Sequence, residues 1–93
     1  MFEEGTTVLV HLVSGYYPAV FAGRVSRLMG PEGAELTDAV MVHECPQGHW
    51  AALAEGTDKQ LRTRSTYEHA GTIRFAACAY ARDWVGALPK ANR

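Results

Sequence analysis

The chain has 93 residues, 47% hydrophobic and 20% charged, a composition that suits a globular domain with one modest core and excludes a disordered chain or a disulfide-built scaffold. Nine basic residues against ten acidic ones leave a formal charge of -1, which excludes whole-molecule attraction to polyphosphate as the main driving force for binding. No run approaches ~18 apolar residues, the Met1–Glu4 start is acidic where a secretory signal is basic, and Cys45 and Cys78 are the only cysteines; the expectation is a cytoplasmic chain with free thiols and no membrane span.

The first predicted element is a strand over Thr7–Val13, rich in β-branched residues and followed by Ser14-Gly15. Both of its faces are largely apolar, so it is expected to be central, and His11 then needs a partner or a solvent edge. Tyr16-Tyr17-Pro18 predicts a turn, because proline lacks a ladder donor and restricts the residue before it. A second strand comes next over Ala19–Leu28, with Gly23 marking a bend, a bulge or a close backbone approach. Gly30-Pro31-Glu32-Gly33 is a strong turn leading into a third strand, Ala34–His43. Cys45-Pro46-Gln47-Gly48 breaks the pattern, and His49–Glu55 predicts a helix of about two turns ended by Gly56, with Trp50, Leu53 and Ala54 on its buried stripe.

Thr57–Gly71 is polar and reads as an irregular loop or an edge strand, and Thr72–Tyr80 as a closing strand. Trp84, Val85 and Leu88 lie in a segment that docks or serves as a contact patch, and Pro89–Arg93 is expected to fray. The predicted fold is mainly β: a small, strongly bent antiparallel barrel of the SH3/Sm-like kind with one short helix. It forms a single domain over residues 1–93, in which 81–93 is a terminal docking or frayed segment. Apolar residues on both strand faces leave one face to cover, which predicts a homo-oligomer.

Three groups of residues carry candidate chemistry. His43, Cys45 and His49 bring two imidazoles and a thiol into seven residues, the ligand types zinc uses, although a second closely spaced pair is missing. The same cluster is the candidate for a zinc adaptor or hydrolase, or for a thiol activated by a neighbouring imidazole, but no spacing assembles acid, base and nucleophile. Without that assembly no metal, cofactor or catalytic residue is expected. Arg62, Arg64, Arg74, Arg82, Lys90 and Arg93 make the last third basic, and Arg62, Arg64 and Arg74 are candidates to converge with Trp50, Tyr16 and Tyr17 at one rim, since guanidinium beside an aromatic ring holds bases and phosphates. Tyr16-Tyr17 is also a candidate protein-contact site.

The order Val8-x-Val10-x-Leu12-x-x-Gly15, Phe21-x-Gly23-x-Val25 and Glu35-Leu36-Thr37-Asp38-Ala39 resembles the first half of Sm-like and SH3-like small barrels over about forty residues. Sm-like proteins carry an aspartate and an asparagine for RNA bases where this chain has Gly30-Pro31-Glu32-Gly33, so RNA reading by that route is not expected. Ala19-Val20-Phe21-Ala22-Gly23, Leu36-Thr37-Asp38-Ala39, Trp50 and Leu53-Ala54-Glu55-Gly56 resemble a family of small phage and prophage proteins of unknown function, which share a V-F-A-G strand, an L-T-N-A strand, a tryptophan-bearing segment and a short helix ending E-G. That resemblance implies a phage-associated accessory protein. The functional expectation is a non-enzymatic small binding protein engaging a host protein or a small anionic, nucleotide-like ligand. A nucleic-acid-binding barrel is the alternative, and no membrane partner is expected.

Overall fold

A computed structural model of the protein describes residues 2–14 and 17–93; the side chains of residues 13, 14, 17, 18 and 47 lie outside that description, as does Gly15 of the Ser14-Gly15 pair that follows the first predicted strand. The strands are β1 (Thr7–Ser14), β2 (Tyr17–Leu28), β3 (Ala34–Glu44), β4 (Thr66–Phe75) and β5 (Tyr80–Asp83). They form one antiparallel sheet in the order β4-β3-β2-β1-β5. The mainly β expectation is therefore met, but the sheet stays open, with β4 and β5 as its two edges. Between β3 and β4 lie a 3-10 turn at Pro46–Gly48 and two short helices, α1 (Trp50–Glu55) and α2 (Lys59–Arg64).

The sheet bends because β3 and β4 change phase at the same level. Ala34 and Leu36 face one side of β3, whereas Val40 and Val42 face the other, and the slip between them carries Asp38 at φ 53°. Opposite this point Gly71 of β4 has φ 75°, and Tyr67 before it and Phe75 after it, both odd-numbered, again face opposite sides. An extra residue in each strand interrupts the ladder, and the local twist increases there. Aspartate is among the few residues with a Cβ that tolerate the left-handed region, and glycine has no Cβ to oppose it. Gly23 of β2 lies beneath the kink: a Cβ there would sit 3.0 Å from Leu36 Cβ and 3.2 Å from Ala39 Cβ.

Two apolar clusters arise from this geometry. Leu9, Val20, Ala22, Val40, Val42 and Tyr67 pack under α1, α2 and Trp84, with Leu53, Ala54 and Leu61 as the helical contribution. Val8, Val10, Val25, Ala34, Leu36, Ala39 and Phe75 form the other cluster, on the opposite side. The apolar face that the sequence leaves to be covered is thus covered within the chain, by α1, α2 and the segment around Trp84. The helix ended by Gly56 forms as expected: Gly56 has φ 70° and donates its N–H to the Ala52 carbonyl, and Leu53 and Ala54 are buried.

Several expectations need correction. Pro18 lies inside β2, paired with Val13, near the strand's start where one missing donor is tolerated. Thr57–Gly71 is neither an irregular loop nor only an edge strand: it holds α2, capped by Asp58 accepting from the backbone N–H of Gln60 and Leu61, and the first half of β4. Thr72–Phe75 completes β4 and is not a separate closing strand; the chain turns at residues 76–79 and returns as β5 along β1. In the terminal segment Asn92 donates its backbone N–H to the Tyr67 carbonyl, accepts the Tyr67 N–H on its side-chain oxygen and donates to the Ser65 carbonyl. No helix of the described residues is long and apolar enough to cross a membrane.

Candidate functional site: an aromatic groove beside helix α1

The alternation of β1 puts His11 on the helix-covered face, next to Leu9 but beyond the end of the packed core. Trp50, the first residue of α1, sets its ring edge-on to His11 at 5.2 Å between centroids, and Tyr80, the first residue of β5, does the same from the other side at 4.9 Å. Both approaches lie in the range in which perpendicular aromatic pairs are favourable. These three rings, with Gly48, His49, Ala51 and Ala52, line a groove of about 600 Å3 on the surface. That volume lies within the range of small-ligand sites.

Burial holds the His11 imidazole below the usual histidine range, so the ring is neutral at pH 7. Its Nε2 is buried and, among the described residues, has no hydrogen-bond partner. Tyr80 is 37% exposed, and its hydroxyl accepts from the Arg82 guanidinium at 3.2 Å; Arg82 also pairs with Glu55 at 2.9 Å, tying β5 to the end of α1. His49 lines this groove and also an adjoining depression of about 240 Å3 shared with Pro46, Asp58, Gln60, Leu61 and Arg64. Among the described residues Lys59 and Arg64 take part in no ion pair within 4 Å, and Arg64 is exposed at this depression, where it shares the lining with the Asp58 carboxylate that caps α2.

The structure does not bring the predicted rim together. Trp50 lies in the groove and Arg64 in the depression beside it. Arg62 is a structural clamp: its Nε and one terminal nitrogen donate to the Leu53 and Ala54 carbonyls, each at 2.9 Å, and its guanidinium lies 4.1 Å from the Trp84 ring centroid. Desolvation lowers its pKa, as its withdrawal from water requires. Arg74 is held by Glu35 at 2.6 Å, with Arg27 on the same carboxylate oxygen at 3.4 Å. Tyr16 and the Tyr17 side chain lie outside the described residues. His11 and Tyr80 are the contributors the sequence does not single out. His11 carries a signal, a polar ring on an apolar strand face; Tyr80 carries none, because its role depends on where β5 begins.

The His43, Cys45 and His49 cluster does not assemble. His43 Nε2 approaches Glu68 to 3.1 Å in the sheet, without the alignment of a hydrogen bond, while His49 turns to the grooves. Among the described residues no group of three or more histidine, cysteine, aspartate or glutamate side chains is placed to hold a metal ion. Burial pushes the Cys45 thiol up, opposed only in part by Ser65 and the His49 backbone, which keeps it protonated and a poor nucleophile at neutral pH. The groove offers ring faces and edges, an apolar wall and a nearby cation, a combination suited to binding a planar group with an attached anion. No family model, no curated protein and no solved structure matches the chain.

Proposed function

We propose that this is a non-enzymatic binding protein that seats a small anionic ligand bearing a planar ring, of the nucleotide type, in the groove of His11, Trp50 and Tyr80. The observation that carries the reading is the continuity of that groove, through His49, with the depression holding Arg64. A ring packed on Trp50 and Tyr80 then directs its anionic substituent past His49 toward the exposed Arg64 guanidinium, which among the described residues takes part in no ion pair. Base-on-aromatic contact contributes about 1–3 kcal/mol per base, and an exposed arginine rather less. We read the architecture as a small barrel left open between β4 and β5, and the protein as a phage-type accessory protein. Asp38 supports the second reading: at φ 53° it occupies a conformation that aspartate and asparagine tolerate better than other branched residues, so L-T-D-A here and L-T-N-A in the phage proteins suit one backbone shape.

The test is a titration of the intact chain with adenosine monophosphate, adenosine and inorganic phosphate, monitored by tryptophan fluorescence. The monophosphate is expected to quench saturably, adenosine more weakly and phosphate not at all. Trp50→Ala or Tyr80→Ala should weaken the monophosphate by about 5- to 100-fold, and Arg64→Ala by about threefold with a reduced response to salt. Absence of saturable quenching by the monophosphate and by its guanine, cytosine and uracil counterparts would overturn the proposal. Single-stranded nucleic acid is the second reading, favoured by exposed Lys59 and Arg64 on α2. It is excluded if a ten-nucleotide strand binds no more tightly than one nucleotide.

A further inference from the structure

The walls of the aromatic groove come from elements held in place by different means. Trp50 stands on the first turn of α1, which the burial of Leu53 and Ala54 anchors to the core. Tyr80 stands on β5, whose four residues are all exposed, so no apolar burial fixes the side chains of the strand. Pairing of Tyr80 with His11, and the Ala79 N–H donated to the His11 carbonyl at 2.9 Å, place the Tyr80 backbone. They leave its ring, 37% exposed, a choice of staggered positions about χ1. The ring nevertheless sits edge-on to His11 at 4.9 Å. Its hydroxyl gives a second point of attachment: it accepts from Arg82 Nη1 at 3.2 Å, while Nη2 of the same guanidinium pairs with Glu55 Oε1 at 2.9 Å. Glu55 is the last residue of α1, so the line of Tyr80, Arg82 and Glu55 runs back to the helix that carries Trp50. Strand alternation makes the line possible, because Tyr80 and Arg82 stand two residues apart on one face of β5. Among the described residues the Tyr80 hydroxyl makes no other hydrogen bond and Glu55 no other ion pair.

We infer that Arg82 is a positioning residue of the groove: its guanidinium, held by Glu55, fixes the Tyr80 ring against His11 and so sets the spacing between the Tyr80 and Trp50 walls. The inference rests on the groove being the ligand site. Arg82 lies outside the groove lining, so it acts through Tyr80 and not by touching the ligand. A guanidinium suits this task because its planar fork donates to two acceptors in fixed directions, whereas an ammonium is a point donor on a flexible stem. The gain is preorganisation. A ring already held where the ligand needs it loses little freedom on binding, and releasing one such exposed side chain weakens binding by about two- to fivefold.

The experiment compares the intact chain with Arg82→Gln, Arg82→Lys, Tyr80→Phe and the Tyr80→Phe/Arg82→Gln double variant by two measurements. One is the NMR shift of the His11 ring protons without ligand, which the Tyr80 ring current moves while the ring is in place. The other is adenosine monophosphate affinity by tryptophan fluorescence. Arg82→Gln is expected to carry the His11 shifts toward those of Tyr80→Ala and to weaken the monophosphate by about two- to fivefold. Tyr80→Phe, which keeps the ring and removes the acceptor, should give the same two changes, and adding Arg82→Gln to it should change nothing further. Arg82→Lys, which re-forms the pair with Glu55 but cannot serve both partners at fixed angles, should recover only part of either change. His11 shifts that stay at the parent values in Arg82→Gln overturn the inference. So does an Arg82→Gln effect that persists undiminished beside Tyr80→Phe, because Arg82 then acts on the strand and not through the hydroxyl. If the parent chain binds no monophosphate, the reading of the groove as the ligand site fails, and the His11 shifts alone still decide whether Arg82 places Tyr80.

Discussion

Arginine 62 shows how position decides what a charged residue does. The sequence groups it with Arg64 and Arg74 as a rim cation, yet its guanidinium closes the C-terminal end of α1 with two hydrogen bonds and covers the Trp84 ring. Hydrogen bonds from a charged donor are worth about 1.5–3 kcal/mol each, and the leaving of two carbonyls unpaired adds to the loss. Arg62→Ala should therefore destabilise the protein by about 2–4 kcal/mol in urea unfolding, and Arg62→Lys should recover less than half, because an ammonium cannot reach both carbonyls in one plane. His11 supplies a second prediction at this scale. Its folded pKa is lowered by desolvation, so between that value and about 6.5 the unfolded chain binds more protons than the folded one. Its contribution to stability is complete above pH 6.5 and is lost as pH falls through the folded value. His11→Phe, which keeps a ring against Trp50 and Tyr80, should flatten the unfolding free energy immediately below about pH 6.5 relative to the parent. An unchanged slope there would mean that His11 is not the group responsible.

Among the elements, the strands that alternate regularly were legible and the ones that change phase were not. Thr7–Val13 keeps one alternation throughout and Ala19–Leu28 keeps it as far as Val25, where its register slips against β3, and their predicted limits fall within two residues of β1 and β2. The α1 helix was legible from Gly56, whose C-cap geometry a sequence can express in one residue. By contrast β4 changes face at Gly71, so its two halves read as unrelated pieces, a polar stretch and a separate strand. Helix α2 was hidden because only Leu61 of its six residues is buried, leaving no apolar stripe; its signal was Asp58, a capping residue two places before the first donor it satisfies. Of the candidate site, Trp50 was legible as an aromatic on a helix start, whereas its partner Tyr80 arrives through the pairing of β5 with β1, a long-range fact. The kink itself is testable. Gly23→Ala places a methyl group against Leu36 and Ala39 at 3.0–3.2 Å and should cost about 1–3 kcal/mol in thermal or urea unfolding. Asp58→Ala should cost about 0.5–2 kcal/mol and raise amide exchange selectively at Gln60 and Leu61.

Across the whole molecule, the two sheet edges are unequally secured, and Trp84 decides how well the weaker one holds. The β5 strand has four residues paired with β1, all of them exposed, so little apolar burial keeps it in place. The edge is anchored just beyond the strand: Trp84 is 3% exposed, its backbone N–H donates to the Thr7 carbonyl, its own carbonyl accepts from the Thr7 hydroxyl, and its indole N–H donates to the Ala87 carbonyl. The next residue, Val85, donates to Ala54, so the same short segment bridges β1, α1 and, through Arg62, α2. A domain of this size is stable by about 5–14 kcal/mol in all, and truncating a buried tryptophan costs about 3–5. Trp84→Ala should therefore remove a large share of the total. The loss should show first as release of β5: exchange at Arg82, Trp84 and Val85 should accelerate well beyond that of β2 and β3 amides, and the groove should lose its Tyr80 wall before the sheet unfolds. Trp84→Phe, which keeps the apolar contact but not the indole donor, should lose only about 1–2 kcal/mol and keep β5 in place. If Trp84→Ala instead accelerates exchange equally in every strand, β5 is part of one cooperative unit with the sheet, and the edge, the groove and the helices can only open together.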